Sequence, residues 1–546
     1  MFKFYVFLFF IILLASSAGA IDRSHAIIYD VPEEEMVRQF GELPQSLLSL
    51  RDSIDIASYR FEGETFKVLT ILVDWSNRPA TYPAETFEDM IYSRDTYPGG
   101  SLADYIYEVS YGQLEMTGDI YGWHNNGYYN TDYYVFEQLL TILDPVIDYS
   151  QYDGNGDGVV DAVIFIRSGN GEEDSGNPID IWSFAASYHP DWAPGPFDGV
   201  EVLRWCTAPE TFPLRGPIDP QMFSGVDALN TISVAAHELS HNLGLPDLYD
   251  YDDKLEVSTF STPNDNNDHP LVDWCLMGYN GYGLLAIKKI IPPHICGWGK
   301  NELGWISPVL LDHGEYTDLV INNIETTNEN SLFQIPIGSD GNEYFLLEYR
   351  NPQSTSSFDK LDSDFSVYLY PDLEIGNDTL DRGLMITHVD ASIASVHTFN
   401  NGTPEYPHYA VTIEDAGYNP VRDATSNPLG HVTDSAQWWY PYETRKAALF
   451  SSDVPGQELF SPDTYPSSDG YNYPSGIYVL VDSIVNDKLY ANVRVDPDMD
   501  ELIGDADNCP YDYNPDQTDS DFDGSGDECD LCPGFDDNAE IGRAHV

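Results

Sequence analysis

The 546-residue sequence predicts an α+β fold, followed by a β-rich part and a short acidic tail. Residues 61–310 mix apolar, strand-like runs such as KVLTILVDW and DAVIFIRS with stretches of helical periodicity. Residues 311–497 change to short alternating runs separated by Pro, Asp, Asn and Gly, which is typical of a sandwich-like set of strands. Residues 498–546 carry Asp at regular spacing, which is typical of a calcium-binding loop.

The first twenty residues predict a cleaved signal peptide. Lys3 precedes an apolar run over residues 4–15, and the segment ends in the Ala-x-Ala sequence of residues 18–20. This run is too short to span a bilayer, and no other stretch approaches about 18 apolar residues. We therefore expect a secreted, extracellular protein without a membrane span.

The charge of the chain excludes two classes of partner. Lys and Arg number 24 against 91 Asp and Glu, which gives a formal net charge of −67. Nucleic acid and anionic membrane surfaces are therefore poor partners.

The predicted export favours disulfides over free thiols among the cysteines of the chain. The pairing stays open, because the first part holds an odd set of cysteines, Cys206, Cys275 and Cys296.

The run HELSHNLGLPD over residues 237–247 predicts a metal site on a helix. Residues 228–243 contain no Pro or Gly and place apolar residues at helical spacing. Asn230, Thr231 or Ser233 can cap the start of this helix, and Gly244 can end it. His237 and His241 lie four residues apart, so both rings can reach one Zn²⁺ ion.

The same run supplies a third ligand and a base. Glu238, beside the first His, is placed to accept a proton from a zinc-activated water. The turn at Gly244 and Pro246 lets Asp247 return toward the two rings as the third ligand. Asp250 is the alternative for that position.

Two loops have the spacing of calcium sites. The first places Asp153, Asn155, Asp157 and Asp161 at positions 1, 3, 5 and 9, but it has Ile164 at position 12. The alternative for this loop is an acidic turn before a strand. The second loop is more complete and offers oxygens at positions 1, 3, 5, 7, 9 and 12 from Asp519, Asp521, Asp523, Ser525, Asp527 and Asp530.

Beyond these motifs, the chain resembles the immune-inhibitor-A family of secreted zinc metalloproteases over roughly residues 60–495. The matching blocks include GGSLADYIYEVSYGQLEMTGDIYGW, DWCLMGYNGYG, PPHICGWGKNELGWI, EYFLLEYRNP and GLMITHVD. The resemblance implies a metzincin-like catalytic domain over residues 61–310, a prosegment over 21–60, and Asp247 as the third zinc ligand. It also implies that Met277 forms an apolar floor under the zinc site and that Tyr279 stabilises the oxyanion. A buried aromatic in a Gly-rich loop is an equal alternative for Tyr279.

The tail, residues 498–546, resembles a thrombospondin type-3 repeat through DNCPYDYNPDQTDSDFDGSGDECD. The resemblance implies structural Ca²⁺ and a disulfide between Cys509 and Cys529, and it leaves Cys532 without a partner. Such repeats usually occur in arrays, and residues 540–546 read like a translated sequencing adapter. We therefore expect the natural protein to be longer than this chain.

Taken together, these features predict a secreted zinc endopeptidase that acts on proteins or peptides, with Glu238 as general base. One alternative is a calcium-dependent adhesive or matrix-binding protein with a vestigial protease fold. A second is a zinc hydrolase for non-peptide esters or amides.

Overall fold

The fold is taken from a computed structural model. It describes residues 26–29, 61, 63–129, 134–188, 193–215, 223–249, 271, 274–278, 292–338, 341–351, 382–394, 410–414, 416, 449–453, 456–464, 466–471 and 474–530. The predicted signal peptide, most of the predicted prosegment, Asp250, Tyr279 and Cys532 lie outside these ranges. Among the helices in these ranges, none has the length and apolarity needed to cross a membrane.

A seven-stranded sheet organises the first part. Its strands are β1 (Ala26–Tyr29), β2 (Thr65–Asp74), β3 (Glu115–Asn125), β4 (Ala162–Asn170), β5 (Phe184–Tyr188), β6 (Arg204–Arg215) and β7 (Phe223–Leu229). They follow the order β1-β5-β6-β4-β2-β3, and β7 pairs with β6. The central pairs β2–β3, β2–β4 and β4–β6 are parallel, whereas β1, β5 and β7 add antiparallel strands.

Both faces of this sheet are buried, which explains the near-continuous apolar runs of its central strands. Along β2, Val68 and Leu72 belong to one apolar core, and Leu69 and Ile71 belong to another. Helices α1 (Ala84–Tyr92), α2 (Leu102–Val109) and α5 (Ile232–Leu243) contribute to the first core. Helix α3 (Tyr134–Leu143) contributes to the second. The short helices are α4 (Glu172–Ser175), α6 (Gly297–Glu302) and α7 (Ala391–Ala394).

Two further sheets form the second part. Its strands are β8 (Val309–Leu310), β9 (Gly314–Asn322), β10 (Leu332–Ile337), β11 (Glu343–Arg350), β12 (Gly383–Asp390), β13 (Val411–Ile413), β14 (Leu459–Phe460), β15 (Ile477–Val485) and β16 (Lys488–Val495). One sheet has the order β13-β12-β11-β10-β8, and the other has the order β14-β15-β16-β9. The two sheets share an apolar core, to which alternate residues of β15 and β16 contribute.

The five-stranded sheet is shared between two cores. On β11, Phe345 and Leu347 face the core between the two later sheets, while Leu346 belongs to the core that contains α5. On β12, Ile386 faces the core between the two later sheets, and Met385 belongs to the core that contains α5. The second part is therefore packed onto the first through buried side chains, each of which contributes about 1.5–3 kcal/mol relative to an exposed one.

The predicted α+β class is confirmed. The strands expected in KVLTILVDW, DAVIFIRS, EYFLLEYR and GLMITHVD are all present, as β2, β4, β11 and β12. The predicted domain boundaries stay predictions.

Candidate metal centre

Helix α5 carries the HELSH motif and begins and ends close to where the sequence predicts. Thr231 is its N-cap, and the Thr231 hydroxyl accepts a hydrogen bond from the Ser233 amide at 3.3 Å. Gly244 ends the helix with a φ of 110°, which a residue with a Cβ rarely adopts. Every residue of the helix is buried. The helix therefore lies within a core, fixed at both ends.

The turn after α5 folds back onto the helix. The Leu245 amide donates to the Ser240 carbonyl at 3.1 Å, and the Leu248 amide donates to the Met277 carbonyl at 2.8 Å. Asp247, between these two anchors, is 0 % exposed. Its Oδ1 lies 3.1 Å from Nε2 of His237 and 3.4 Å from Nε2 of His241. The structure thus brings together the three residues that the sequence predicts as metal ligands, with ligand atoms within 4.8 Å of one another.

Hydrogen bonds behind the two rings fix which nitrogen faces Asp247. His237 Nδ1 lies 2.9 Å from the Leu276 carbonyl, and His241 Nδ1 lies 2.7 Å from the Leu245 carbonyl. A carbonyl only accepts, so each Nδ1 must carry the proton. In a neutral ring, Nε2 then presents a lone pair, and both Nε2 atoms lie close to the same carboxylate oxygen. Three acceptors in such contact repel one another unless a metal ion or a proton lies between them.

The spacing of the donors also fits zinc. Tetrahedral zinc with bonds of about 2.0–2.2 Å places neighbouring donors about 3.3–3.5 Å apart. The distances from Asp247 Oδ1 to the two ring nitrogens, 3.1 and 3.4 Å, are close to this value. In addition, Asp247 Oδ2 is buried and accepts no hydrogen bond from the described residues. Two imidazoles and one carboxylate are a donor set that Zn²⁺ accepts.

The pKa values of two residues of the site are shifted. Burial lowers the pKa of His237 and outweighs the opposing effect of Asp247. Burial also acts to raise the pKa of Asp247, but the two histidines outweigh it and lower that pKa to about 2. The site therefore presents an ionised carboxylate beside a ring that resists protonation.

The structure describes two of the four other residues predicted for this centre. Glu238 is 0 % exposed and follows His237 directly on α5. Met277, predicted as an apolar floor, is also 0 % exposed and belongs to the core that contains α5. Tyr279 and Asp250 lie outside the described residues.

The first predicted calcium loop uses its side chains within the loop. Asp153 Oδ1 accepts hydrogen bonds from the Gly156 and Asp157 amides at 2.7 and 3.0 Å. Asp157 Oδ1 accepts from the Val159 amide, and Asn155 Nδ2 donates to Asp157 Oδ2. Both oxygens of Asp161 accept backbone amides, from Gly154 and Lys67. Among the described residues, the carboxylates of this loop do not gather within 4.8 Å of one another. Calcium binding here stays a prediction.

The second predicted calcium loop is brought together in part. Asp519, Asp521 and Asp523 place carboxylate oxygens within 4.8 Å of one another. Asp527 accepts hydrogen bonds from the amide and hydroxyl of Ser520, and Asp530 lies outside the three-carboxylate cluster. For Ser525, the structure gives one contact, from its amide to Asp523.

The disulfide predicted for the tail, Cys509–Cys529, is confirmed, with a Cα–Cα distance of 5.6 Å.

The structure adds an acidic cluster that sequence reasoning missed. Asp496, Asp498 and Asp500 place oxygens within 4.8 Å of one another just before the tail loop. Their D-x-D-x-D spacing repeats positions 1, 3 and 5 of the loop at Asp519. Position 6 holds Glu501 in place of Gly, yet Glu501 adopts a φ of 75°. The D-x-D-x-D spacing alone could therefore have indicated this cluster, even without Gly at position 6.

Comparison with known proteins points in the same direction as this geometry. The chain is 26% identical over 323 residues to the Pre-pro-metalloprotease PrtV of Vibrio cholerae serotype O1, in strains M66-2 and ATCC 39315 / El Tor Inaba N16961. The chain is distantly related to a metalloprotease. The match covers 48% of this chain, and the chain spans about a third (32%) of the length of these curated relatives. No family model matches the chain.

Proposed function

We propose that this chain is a secreted zinc endopeptidase that hydrolyses peptide bonds in extracellular proteins. The observation that carries the proposal is the convergence of His237 Nε2 and His241 Nε2 on one oxygen of Asp247, with both Nδ1 protons held by carbonyls. The distant relationship to PrtV, a metalloprotease by name, supports the same conclusion.

Each residue of the centre has a distinct role. His237, His241 and Asp247 hold the zinc ion. When bound, zinc polarises the scissile carbonyl and makes water a nucleophile near neutral pH. Glu238 accepts the proton of the attacking water and then delivers it to the leaving amine. The Leu276 and Leu245 carbonyls keep the two rings oriented, a support that typically changes metal affinity 10–100-fold when lost.

The finer assignments belong to the same proposal. They comprise the immune-inhibitor-A-like family, the metzincin-like domain, the prosegment, Tyr279 as oxyanion partner, and a thrombospondin type-3-like tail with structural Ca²⁺. The three-carboxylate cluster at Asp519 supports calcium in the tail. Protein or peptide substrates follow from the proposed chemistry.

The proposal is tested with Glu238→Gln, which keeps the size of the side chain and removes the base. We expect equal zinc per chain in wild type and variant, and casein hydrolysis slower by about 10²–10⁴-fold in the variant. Ser240→Ala is the matched control on the same helix, because the Ser240 hydroxyl donates only to the Ala236 carbonyl one turn earlier. It should keep both zinc and activity.

Three results would contradict the proposal. Unchanged casein hydrolysis in Glu238→Gln removes Glu238 from the mechanism. Zinc in both proteins with activity in neither, after removal of residues 21–60, favours the adhesive alternative. Hydrolysis of small esters without hydrolysis of casein favours the non-peptide hydrolase.

A further inference from the structure

Two buried thiols lie against each other behind the metal centre. Cys275 and Cys296 are both 0 % exposed, and the Cys296 amide donates to Cys275 Sγ at 3.3 Å. The two thiols also shift each other's pKa, that of Cys275 downward and that of Cys296 upward. The Leu276 amide donates to the His294 carbonyl at 3.2 Å, so the two segments run side by side. The third thiol of this part, Cys206, lies within β6 between β4 and β5.

We propose that Cys275 and Cys296 form a disulfide in the mature protein, while Cys206 stays a thiol. The pair would close a loop across residues 276–295 and join the segment behind the metal centre to the N-cap of α6. The proposal resolves the odd set of three cysteines into one pair and one buried single residue. It rests on the proposed export only for the compartment in which oxidation occurs.

The cross-link acts on the segment that positions the metal ligands. Leu276, next to Cys275, accepts the proton of His237 Nδ1 through its carbonyl. The Met277 carbonyl accepts from the Leu248 amide, next to Asp247. One short segment thus contacts both the helix and the returning turn. A covalent link at Cys275 would hold this segment, and with it the contacts behind the metal ligands, in place.

The oxidation is a thiol–disulfide exchange with an external disulfide, such as oxidised glutathione or a disulfide-bonded oxidoreductase. The Cys275 thiolate attacks one sulfur of that disulfide and forms a mixed disulfide, which releases the first external thiol. The Cys296 thiolate then attacks the Cys275 sulfur and releases the second external thiol. The two protons lost by the protein end on these two thiols, and the external disulfide is the species reduced.

The folded environment shifts the pKa of the Cys275 thiol. Burial acts to raise the pKa of the Cys275 thiol, but hydrogen bonds from the Cys296 thiol and from the Cys296 and Met277 amides outweigh it and lower that pKa. The exchange must take place during folding, before both thiols are buried.

The test is disulfide mapping of the full chain, refolded in oxidised and reduced glutathione and then unfolded in urea with N-ethylmaleimide present, because all three thiols are buried in the folded chain. Digestion without reduction should give one peptide pair that joins Cys275 to Cys296, two hydrogens lighter than the separate peptides, and alkylated Cys206. Cys206→Ser is the matched control and should give the same linked pair. The mapping requires neither zinc nor proteolysis, so its failure is separate from a failure of the proposed function.

Two results would overturn the proposal: alkylation of both Cys275 and Cys296 when the refolded, oxidised chain is unfolded in the reagent, or linkage of either one to Cys206. A second measurement compares the oxidised chain with the same chain after mild reduction, both carrying Cys509→Ala and Cys529→Ala, so that the tail disulfide does not contribute. Reduction should lower Tm by about 3 °C, because the bond constrains the unfolded loop. An unchanged Tm would contradict the stabilising role.

Discussion

Asp247→Asn tests the least conventional ligand of the centre. The substitution keeps the size of the side chain and removes the negative charge that both ring nitrogens face, at 3.1 and 3.4 Å. Because Asp247 is 0 % exposed, solvent cannot replace the lost charge. We expect the variant to fold and to bind zinc much more weakly.

The magnitude follows from the position of Asp247 in direct reach of the cation. Loss of an outer partner of a metal ligand costs 10–100-fold in affinity, so loss of a direct carboxylate ligand should cost at least about 100-fold. At saturating zinc, a 100-fold weaker site reduces the metal-derived free energy of unfolding by about 2.7 kcal/mol. The metal-free proteins should differ by less than this amount.

The assay combines zinc competition against a chromophoric chelator with urea unfolding, each with and without zinc. Asp250→Asn is the matched control, since Asp250 is the alternative third ligand from the sequence. A normal zinc affinity in Asp247→Asn together with a loss in Asp250→Asn would refute the assignment. Equal losses in both variants would refute a single carboxylate ligand.

Three further predictions concern the helix end, a buried histidine and the tail. Gly244→Ala should lower the free energy of unfolding by about 1–2 kcal/mol in urea, because a Cβ is strained at a φ of 110°; no change would contradict the strain. Burial acts to lower the pKa of His388, but hydrogen bonds to Glu343 and Glu414 outweigh it and raise that pKa above 6.5. The stability that His388 contributes is therefore fully present below pH 6.5 and is lost as the pH rises through its raised pKa. In urea unfolding at several pH values, the free energy of unfolding of His388→Gln should fall less over this range than that of the wild type. An equal fall in both proteins would contradict the prediction. Asp521→Asn should bind one Ca²⁺ fewer per chain in calorimetric titration at equal free calcium, and an unchanged stoichiometry would exclude a calcium site there.

The local part of the centre could be predicted from the sequence because its signals lie close together. Thr231 and Gly244 cap α5 at the ends indicated by the residue types, and the turn brings Asp247 to the two rings within six residues of His241. Helix periodicity and end chemistry depend on neighbouring residues, which the sequence displays directly.

The supporting contacts could not be predicted because they join distant segments. The Leu276 carbonyl that orients His237 lies 39 residues along the chain. Glu348 on β11 accepts the Gly297 amide at the start of α6, and Arg350 donates to the Trp274 carbonyl. Neither contact has a periodic signal. The Asp496 cluster lacks a clear sequence signal for a different reason, since Glu501 stands at the position where such loops usually carry Gly.

The sheet that belongs to two cores has a practical consequence for anyone who cuts this chain. A recombinant fragment ending at residue 310 would keep α5 and its ligands but lose Leu332, Leu346, Met385 and Val389 from the core around them. The uncovered apolar surface would favour aggregation during expression. A fragment that keeps this core covered therefore extends through β16, whose side chains cover the other face of β11 and β12, and trimming for crystallisation is better aimed at the acidic tail.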